Sequence, residues 1–180
     1  MMILTVGLSI RKGTDILIRA LPAINKELPA VRLVIVSSGP RTQTFFKELA
    51  GSLHILDTIE FLHDISSEKL ATLYDACDLF VLTPRYIDHY FEGYGLVYLE
   101  AGLHKKPVIG SRSGGVPEVV IDGETGLLVS ENDPAATAGA IIKILQDSAL
   151  ARRLGENGCA LAKKRNWNDY IEKEIQIYHA

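Results

Sequence analysis

Short apolar runs that alternate with helical segments are the feature of this sequence that most limits its fold. Each run is too short for a helix and ends at turn-forming residues, which is typical of a buried strand. A helical segment separates each strand from the next, so the strands are joined by crossovers rather than hairpins. We therefore predict an α/β fold: a parallel sheet with helices on both faces. The predicted strands are Met2–Val6, Val31–Val36, Thr58–Leu62, Leu79–Leu82, Pro107–Gly110 and Leu127–Val129.

The loops that follow these strands are predicted to share one rim of the sheet. In parallel sheets the carboxyl ends of the strands meet at one edge, and ligands bind outside that edge. Cations, glycine-rich turns and carboxylates together on such an edge suit a phosphorylated sugar or a nucleotide. Without a shared rim, Arg11 and Lys12 would be interpreted as a solvated loop pair. The loops are 7–13, 37–40, 62–66, 83–94 and 111–116, and they contain Arg11, Lys12, His63, Glu92 and several glycines.

The segment Glu92–Glu100 begins as a glycine-rich loop and continues as a helix. Gly93 and Gly95 permit close approach of the backbone to a ligand, and the amides that open a helix suit a phosphate. Glu100 falls about 40° from the predicted apolar stripe, so its carboxylate needs protein donors or ligand hydroxyls. The alternative is a buried glutamate in a salt bridge beside a turn. The stripe predicted to be buried consists of Leu96, Leu99 and Leu103.

Length and composition exclude several other classes of protein. A chain of 180 residues is predicted to form a single domain, 1–180, and buries about 70% of its unfolded surface without disulfides. Cys77 and Cys159 match no metal-ligand spacing, which indicates thiols in a reducing compartment. A net charge of −3 gives no electrostatic reason to bind nucleic acid. Because we find neither a membrane span nor a signal peptide, we expect a cytoplasmic protein.

Several motifs, taken together, point to a known family. The spacing Glu92-x7-Glu100 is followed by Lys106–Glu118 and Asp122–Val129, and it is preceded by Arg11–Gly13 and Asp78–Leu82. This combination, which covers essentially the whole chain, closely resembles the C-terminal domain of retaining glycosyltransferases of family 4. These are two-domain GT-B enzymes with two Rossmann-like halves.

The resemblance implies a donor-binding half of a glycosyltransferase of the hexosyltransferase type. Such a domain is Rossmann-like and binds a nucleoside-diphosphate sugar, from which the complete enzyme moves the sugar to an acceptor hydroxyl with retention. The implied partners are this donor and a missing N-terminal acceptor domain, with contact to a membrane only through the acceptor or that missing half. We expect no metal and no cofactor other than the donor substrate, because the Asp-x-Asp motif of metal-using transferases is absent from the sequence.

The resemblance also implies a role for individual residues. Glu92 would lie beside the donor-sugar hydroxyls and Lys12 would neutralise the diphosphate, which makes these two the predicted catalytic residues. Glu100 would accept hydrogen bonds from the ribose hydroxyls, and the backbone near Ile65 would hold the nucleobase. Carboxylates suit hydroxyl donors, and lysine suits phosphate as a point charge. The remaining predicted donor-binding residues are Arg11, Gly93, Tyr94, Gly95 and Leu96.

Two positions depart from the family's pattern. Family members commonly have an arginine directly after the glycine that ends the first strand, whereas Gly7 is followed by Leu8. Either Arg11 substitutes for that cation or phosphate binding is weakened. His63 stands where the family usually has a glycine before the base-contacting backbone. It either alters the base preference or points to solvent.

About half of the two-domain architecture is absent from the sequence. Glycosyl transfer requires donor and acceptor in register, so we expect this chain to bind donor but to transfer poorly. A core strand that begins at Met2 favours a chain excised from a longer protein. The final helix, at about 166–179, resembles the segment that crosses back toward the N-terminal domain. Its apolar residues, which are Trp167, Tyr170, Ile171 and Ile175, are expected to be partly exposed.

Four other functions remain as alternatives. The first two are a non-catalytic nucleotide-sugar-binding module and the subunit of a split enzyme. The third is a nucleotide-sugar epimerase on a similar scaffold, which fits less well. A dinucleotide-dependent oxidoreductase fits least well. It would require a Gly-x-Gly-x-x-Gly motif after the first strand, which this sequence lacks, and it would give Glu92 and Glu100 no role.

Overall fold

The computed structural model describes residues 1–39 and 43–165, together with residues 171, 175, 176 and 178. All six predicted strands are present, and each end lies within one residue of its predicted position. They are β1 (Met2–Val6), β2 (Arg32–Ser37), β3 (Ile59–His63), β4 (Leu79–Val81), β5 (Val108–Ser111) and β6 (Gly126–Val129). They form one parallel sheet, as the sequence predicts, and its strand order is β3-β2-β1-β4-β5-β6.

Helices cover both faces of this sheet. They are α1 (Thr14–Glu27), α2 (Gln43–Ser52), α3 (Ser67–Ala76), α4 (Leu96–Leu103), α5 (Val116–Val119), α6 (Pro134–Gln146) and α7 (Ser148–Lys164). A single 3₁₀ turn at Leu56–Thr58, which the sequence did not suggest, leads into β3. The hydrophobic residues of α1, α2, α6 and α7 pack in one core cluster, and those of α3, α4 and α5 pack in a second.

The two core clusters arise because successive strand residues point to opposite faces of the sheet. In β1, Ile3 belongs to the cluster under α1 whereas Leu4 belongs to the cluster under α4. In β2, Leu33 and Val34 divide in the same way. A strand whose two faces are both covered must be apolar at nearly every position, and this explains the continuous apolar runs of the sequence.

The order of the strands creates a switch point between β1 and β4. From β1 the chain winds outward through β2 to β3, and it then returns past β1 to build β4, β5 and β6 on the other side. The loops after β1 and β4 therefore diverge to opposite halves of the sheet and leave a crevice between them. In open α/β sheets this crevice is the ordinary place for a ligand.

The buried face of α4 differs from the predicted one. Leu96 and Leu103 are 50% and 53% exposed, and the helix instead buries residues that include Ala101 and Gly102. A Cβ atom at position 102 would lie 3.0 Å from the carbonyl oxygen of Gly158 in α7. Small residues thus let the backbones of α4 and α7 approach closely, and Leu96 and Leu103 lie outward. The predicted buried stripe is therefore wrong for Leu96 and Leu103, whereas Leu99 is partly buried against the second core cluster.

Three further predictions are addressed by the structure. Cys77 and Cys159 are both free and buried, and burial raises the pKa of the Cys77 thiol to about 11. No helix within the described ranges is both long and apolar enough to cross a membrane. Ile171 and Ile175 are about half exposed, as expected. Trp167, Tyr170 and most of the predicted final helix at about 166–179 lie outside the described residues.

Gly155 and Gly139 provide a matched test of how α7 packs. Gly155 is buried in α7, and a Cβ atom there would collide with the carbonyl oxygen of Lys105. We expect Gly155→Ala to lower the free energy of unfolding by about 1–3 kcal/mol through overpacking. Gly139 lies on the exposed face of α6 with open space around it, so Gly139→Ala should raise stability by roughly 0.5–1 kcal/mol. Urea unfolding of both variants measures this contrast, and equal stabilisation would contradict the described packing of α7.

Candidate functional site

Neighbouring loops at the carboxyl edge of the sheet are tied together by backbone hydrogen bonds. Each pair of adjacent strands from β3 to β5 is joined by such a bond at its carboxyl end, either between the two loops or between a loop and the last residues of β2. The prediction that these loops share one rim is therefore confirmed for the described residues. The four bonds run from Asp64 N to Ser37 O (3.2 Å), Gly7 N to Val36 O (2.8 Å), Arg85 N to Arg11 O (2.9 Å) and Gly115 N to Glu92 O (3.1 Å).

Two cations converge on one carboxylate at the switch point. Arg11 Nη1 lies 3.2 Å and Lys12 Nζ 3.8 Å from Oε2 of Glu92, and Arg11 also donates to the carbonyl oxygen of Phe91 at 3.3 Å. The Glu92 side chain is 14% exposed, against 33% for Arg11 and 23% for Lys12. The two loops are thus joined by a charge cluster that remains open to solvent on the cationic side.

Lys12 is placed by the glycine that ends β1. Gly7 has φ of 112°, and a Cβ atom there would collide with Cδ of Lys12, so the lysine stem lies directly over the glycine backbone. Lys12 also lines a cavity of about 240 Å³ between the loops that follow β1 and β2. The other residues that line this cavity are Gly7, Leu8, Ser9, Ser37 and Ser38.

The leucine that departs from the family's pattern is buried. Leu8 is 7% exposed and belongs to the core cluster under α1. An apolar side chain in that core has no donor for a phosphate, so the cations of this loop are Arg11 and Lys12. The other departure is His63, the last residue of β3. Its side chain is exposed, in agreement with the prediction that it points to solvent. Its Nδ1 lies 3.5 Å from Nε2 of Gln43.

Arg85 fixes the loop that carries the two cations. Its Nε donates to the carbonyl oxygen of Ile10 at 2.9 Å, and its Nη2 lies 2.6 Å from Oδ1 of Asp15 in α1. A third bond, from Nη1, reaches Oδ1 of Asn132 at 2.5 Å. Arg85 and Asp15 are both largely buried, and a guanidinium can satisfy all three acceptors at once because its donors form a rigid fork. These three contacts of Arg85 therefore fix the position of the loop segment that precedes Arg11.

A second pair of glycines supports the segment around Glu92. A Cβ atom at Gly114 would collide with the carbonyl oxygen of Glu92, and one at Gly115 would collide with the carbonyl oxygen of Gly93. Only residues without a side chain allow the loops after β4 and β5 to approach this closely. Gly114 and Gly115 thereby set the height of Glu92 above the sheet.

The predicted phosphate-binding helix start is Gly95 at the beginning of α4. Gly95 has φ of 75° and no side-chain hydrogen bond caps the helix, so its first amides remain available as donors. The ring of Tyr98 packs under Gly95, where a Cβ atom would lie 2.7 Å from the ring. The Tyr98 hydroxyl donates to the carbonyl oxygen of Leu82 at 2.5 Å. Burial, followed by the charge of Glu92, raises the pKa of Tyr98 well above its ordinary value, so the phenol keeps its proton.

Glu100 lies one turn into α4 and receives a hydrogen bond from the neighbouring helix. Tyr74 of α3 donates to Oε2 of Glu100 at 2.9 Å, and the rest of the glutamate is exposed. Ile65 lies in the loop between β3 and α3. It packs against the second core cluster, as does Tyr94 from the loop before α4. Gly93 and Leu96 are exposed beside them. All the residues predicted to bind a donor thus lie on the carboxyl edge of the sheet or at the adjoining end of α4.

Five residues that matter to this geometry were not predicted from the sequence: Arg85, Tyr74, Tyr98, Gly114 and Gly115. Tyr74 and Tyr98 look like ordinary core aromatics, because helical spacing gives no sign of what a buried hydroxyl contacts. Gly114 and Gly115 were predicted only as part of the rim loop 111–116 and of the Lys106–Glu118 motif, although a double glycine soon after a buried strand is a signal for close backbone approach. In the described portion of the chain, no three His, Cys, Asp or Glu side chains are grouped closely enough to hold a metal ion.

Gly115 and Gly93 allow the contact between the two glycine-rich loops to be tested. Gly115→Ala must displace the Gly93 carbonyl, so we expect a loss of about 1–3 kcal/mol in the free energy of unfolding. Gly93→Ala points into open space and should change stability by less than about 1 kcal/mol. Urea unfolding, combined with amide chemical shifts of residues 92–96, measures both effects. A Gly115→Ala variant with wild-type shifts in that segment would show that the loops do not touch.

Comparison with known proteins assigns the chain to a family. A family model described as "Glycosyl transferases group 1" matches residues 2–160. The GDP-mannose-dependent alpha-(1-6)-phosphatidylinositol monomannoside mannosyltransferase of Mycolicibacterium smegmatis is 38% identical over 152 residues, which are 82% of this chain and 39% of that protein. The chain therefore spans about two fifths of the length of this curated relative.

Solved structures agree with this assignment. The C-terminal domain of the glycosyl transferase group 1 family protein LpcC from Francisella tularensis has a TM-score of 0.79 and 28% identity, covering 91% of this chain and 85% of that one. HepE from Anabaena, in complex with UDP and glucose, has a TM-score of 0.82 and 27% identity, covering 98% of this chain and 47% of that one. The chain belongs to the group 1 glycosyl transferases and has the fold of a GT-B C-terminal domain.

Proposed function

We propose that this chain is the donor-binding half of a retaining glycosyltransferase of family 4. The observation that carries the proposal is the convergence of Arg11 and Lys12 on Glu92, beside the open helix start at Gly95 and at the switch point of the sheet. A nucleoside-diphosphate sugar requires cations for its diphosphate and acceptors for its hydroxyls. This arrangement offers both within a few ångströms.

The diphosphate is assigned to the two cations and to the first amides of α4. Lys12 supplies a point charge, and Arg11 replaces the arginine that the family has one position after Gly7. Negative charge develops on the diphosphate as it leaves the sugar, so donors already aimed at it stabilise the transition state more than the bound substrate. The helix start at Gly95 contributes in the same direction because its dipole favours an anion.

The hydroxyls of the donor are assigned to the two carboxylates. Glu92 accepts hydrogen bonds from the sugar, and Glu100 accepts them from the ribose. Glu92 binds and orients the sugar rather than attacking it, and transfer takes place on the front face of the sugar ring. The nucleobase is assigned to the backbone near Ile65. We also propose that donor binding needs no metal, because the cations of this site already neutralise a diphosphate.

The relatives suggest which donors to examine. One is named for its dependence on GDP-mannose, and HepE is described in complex with UDP and glucose. Contacts made by the backbone do not select a base strongly, so uridine and guanosine diphosphate sugars are both donor candidates for this chain. We assign the acceptor contacts to the part of the two-domain architecture that this chain does not span. We therefore propose that the chain alone binds donor and transfers sugar poorly.

Lys12→Ala tests the proposal, with Lys26→Ala as its control. Lys12 is assigned to the diphosphate, and its loss should weaken donor binding by about 1.5–3 kcal/mol, or roughly 10- to 150-fold in Kd. Lys26 is an exposed cation in the last turn of α1, away from the rim, so Lys26→Ala should bind as the wild type does. Calorimetric titration with UDP-, GDP- and ADP-sugars in the presence of a chelator measures these constants.

Three results would contradict parts of the proposal. An unchanged Kd in Lys12→Ala would remove Lys12 from the site. Equal losses in both lysine variants would indicate a general charge effect rather than a diphosphate contact. Binding by the wild type that disappears in chelator would refute metal independence.

A further inference from the structure

A buried phenol makes a direct contact with the carboxylate assigned to the ribose. Tyr74 is 2% exposed, and its hydroxyl lies 2.9 Å from Oε2 of Glu100. Tyr74 belongs to α3, which follows the loop assigned to the nucleobase, whereas Glu100 belongs to α4. The contact therefore joins two elements that would hold different parts of one nucleotide.

The direction of this hydrogen bond follows from the acceptors available to the hydroxyl. Its oxygen lies 2.9 Å from Glu100 Oε2 and 3.5 Å from the carbonyl oxygen of Val97. A hydroxyl has a single proton to donate, and the nearer, charged acceptor forms the stronger bond. Burial, followed by the charge of Glu100, raises the pKa of Tyr74, so the phenol is a donor at neutral pH.

The tyrosine ring is itself held in place. It stacks on His104 with centroids 5.4 Å apart and an interplanar angle of 20°, and Phe80 packs against it at 5.8 Å. The His104 ring is anchored in turn, since its Nδ1 lies 2.6 Å from Oδ1 of Asp75. The hydroxyl of Tyr74 is therefore a fixed donor rather than one that moves with a mobile side chain.

We propose that Tyr74 is a positioning residue that orients Glu100 toward the ribose hydroxyls, an inference that rests on the proposed function. An exposed glutamate samples several rotamers, and ordering it costs conformational entropy. Tyr74 removes that freedom in advance by holding Oε2. The other carboxylate oxygen, Oε1, remains available to accept from the ribose. The tyrosine never touches the ligand, yet the affinity gained from the ribose hydroxyls depends on it.

The test compares ribonucleotides with nucleotides that lack the ribose hydroxyls. The wild-type chain should bind UDP or GDP more tightly than the matching 2′,3′-dideoxynucleoside diphosphate. In Tyr74→Phe the affinity for the ribonucleotide should fall roughly 2- to 12-fold, the worth of one ordinary hydrogen bond, while the affinity for the dideoxy analogue stays unchanged. The ratio of the Kd for the dideoxy analogue to the Kd for the ribonucleotide is above one in the wild type, and it thus falls toward one in Tyr74→Phe.

Tyr98→Phe is the matched control. It also removes a buried tyrosine hydroxyl, but one that donates to the Leu82 backbone instead of Glu100. Any loss of stability or of overall affinity in this variant should affect both nucleotides alike, so the ratio remains at its wild-type value. Asp75→Ala provides a second variant with little effect on folding, because the Asp75 side chain is 72% exposed. By releasing His104 it should lower the ratio in the same direction as Tyr74→Phe, but less.

The outcomes separate the inference from the function on which it rests. A wild-type ratio in both Tyr74→Phe and Asp75→Ala, in a chain that discriminates ribose, would overturn the positioning role and leave the donor site intact. An equal fall in the ratio in Tyr98→Phe would also overturn it, since the effect would then be structural. A wild-type chain that binds no nucleoside diphosphate would refute the proposed donor site itself. One that binds both forms equally would refute the assignment of Glu100 to the ribose, and the positioning role of Tyr74 with it.

Discussion

The parallel sheet is the constraint on which the candidate site depends. Every strand must run in the same direction, so every crossover helix returns the chain to the same edge and every loop after a strand opens on the other edge. Because β1 and β4 lie side by side in the sheet, the loops that carry Arg11, Lys12 and Glu92 are neighbours in space although they lie about 80 residues apart in sequence. The charge cluster is a consequence of this topology, and local sequence alone would not create it.

Glycines and buried donors turn that approximate juxtaposition into a defined geometry. Gly7 lets Lys12 lie across the end of β1, and Gly115 lets the loop after β5 support the segment at Glu92. Two side chains then fix the loops by hydrogen bonds to backbone carbonyls: Arg85 donates to the loop after β1, and Tyr98 donates to Leu82 at the end of β4. The groups that we propose to face the ligand are charged and partly exposed, whereas Arg85 and Tyr98 are largely buried. Such a division allows the cations and carboxylates to bind a ligand without disturbing the core.

Much of this could be predicted from the sequence, because apolar runs and turn residues report burial and chain reversal directly. The strands, the shared rim and the position of Glu92 followed from those patterns. The buried face of α4 did not, since Gly102 packs against a helix more than 50 residues later and periodicity carries no information about such a partner. Tyr74 escaped prediction for a related reason: its hydroxyl matters only because of what α4 places beside it. Contacts between elements distant in sequence are the part that pattern alone does not contain.

We propose that the loops after β1 and β4 and the start of α4 form one donor site. The most direct measurement is the ¹⁵N–¹H spectrum of the labelled chain during titration with UDP-glucose and GDP-mannose. We expect the amides of Lys12, Gly95 and Leu96 to shift together along a single binding curve, with smaller shifts near Ile65. Shifts confined to the opposite edge of the sheet, or separate curves for Lys12 and Gly95, would contradict it.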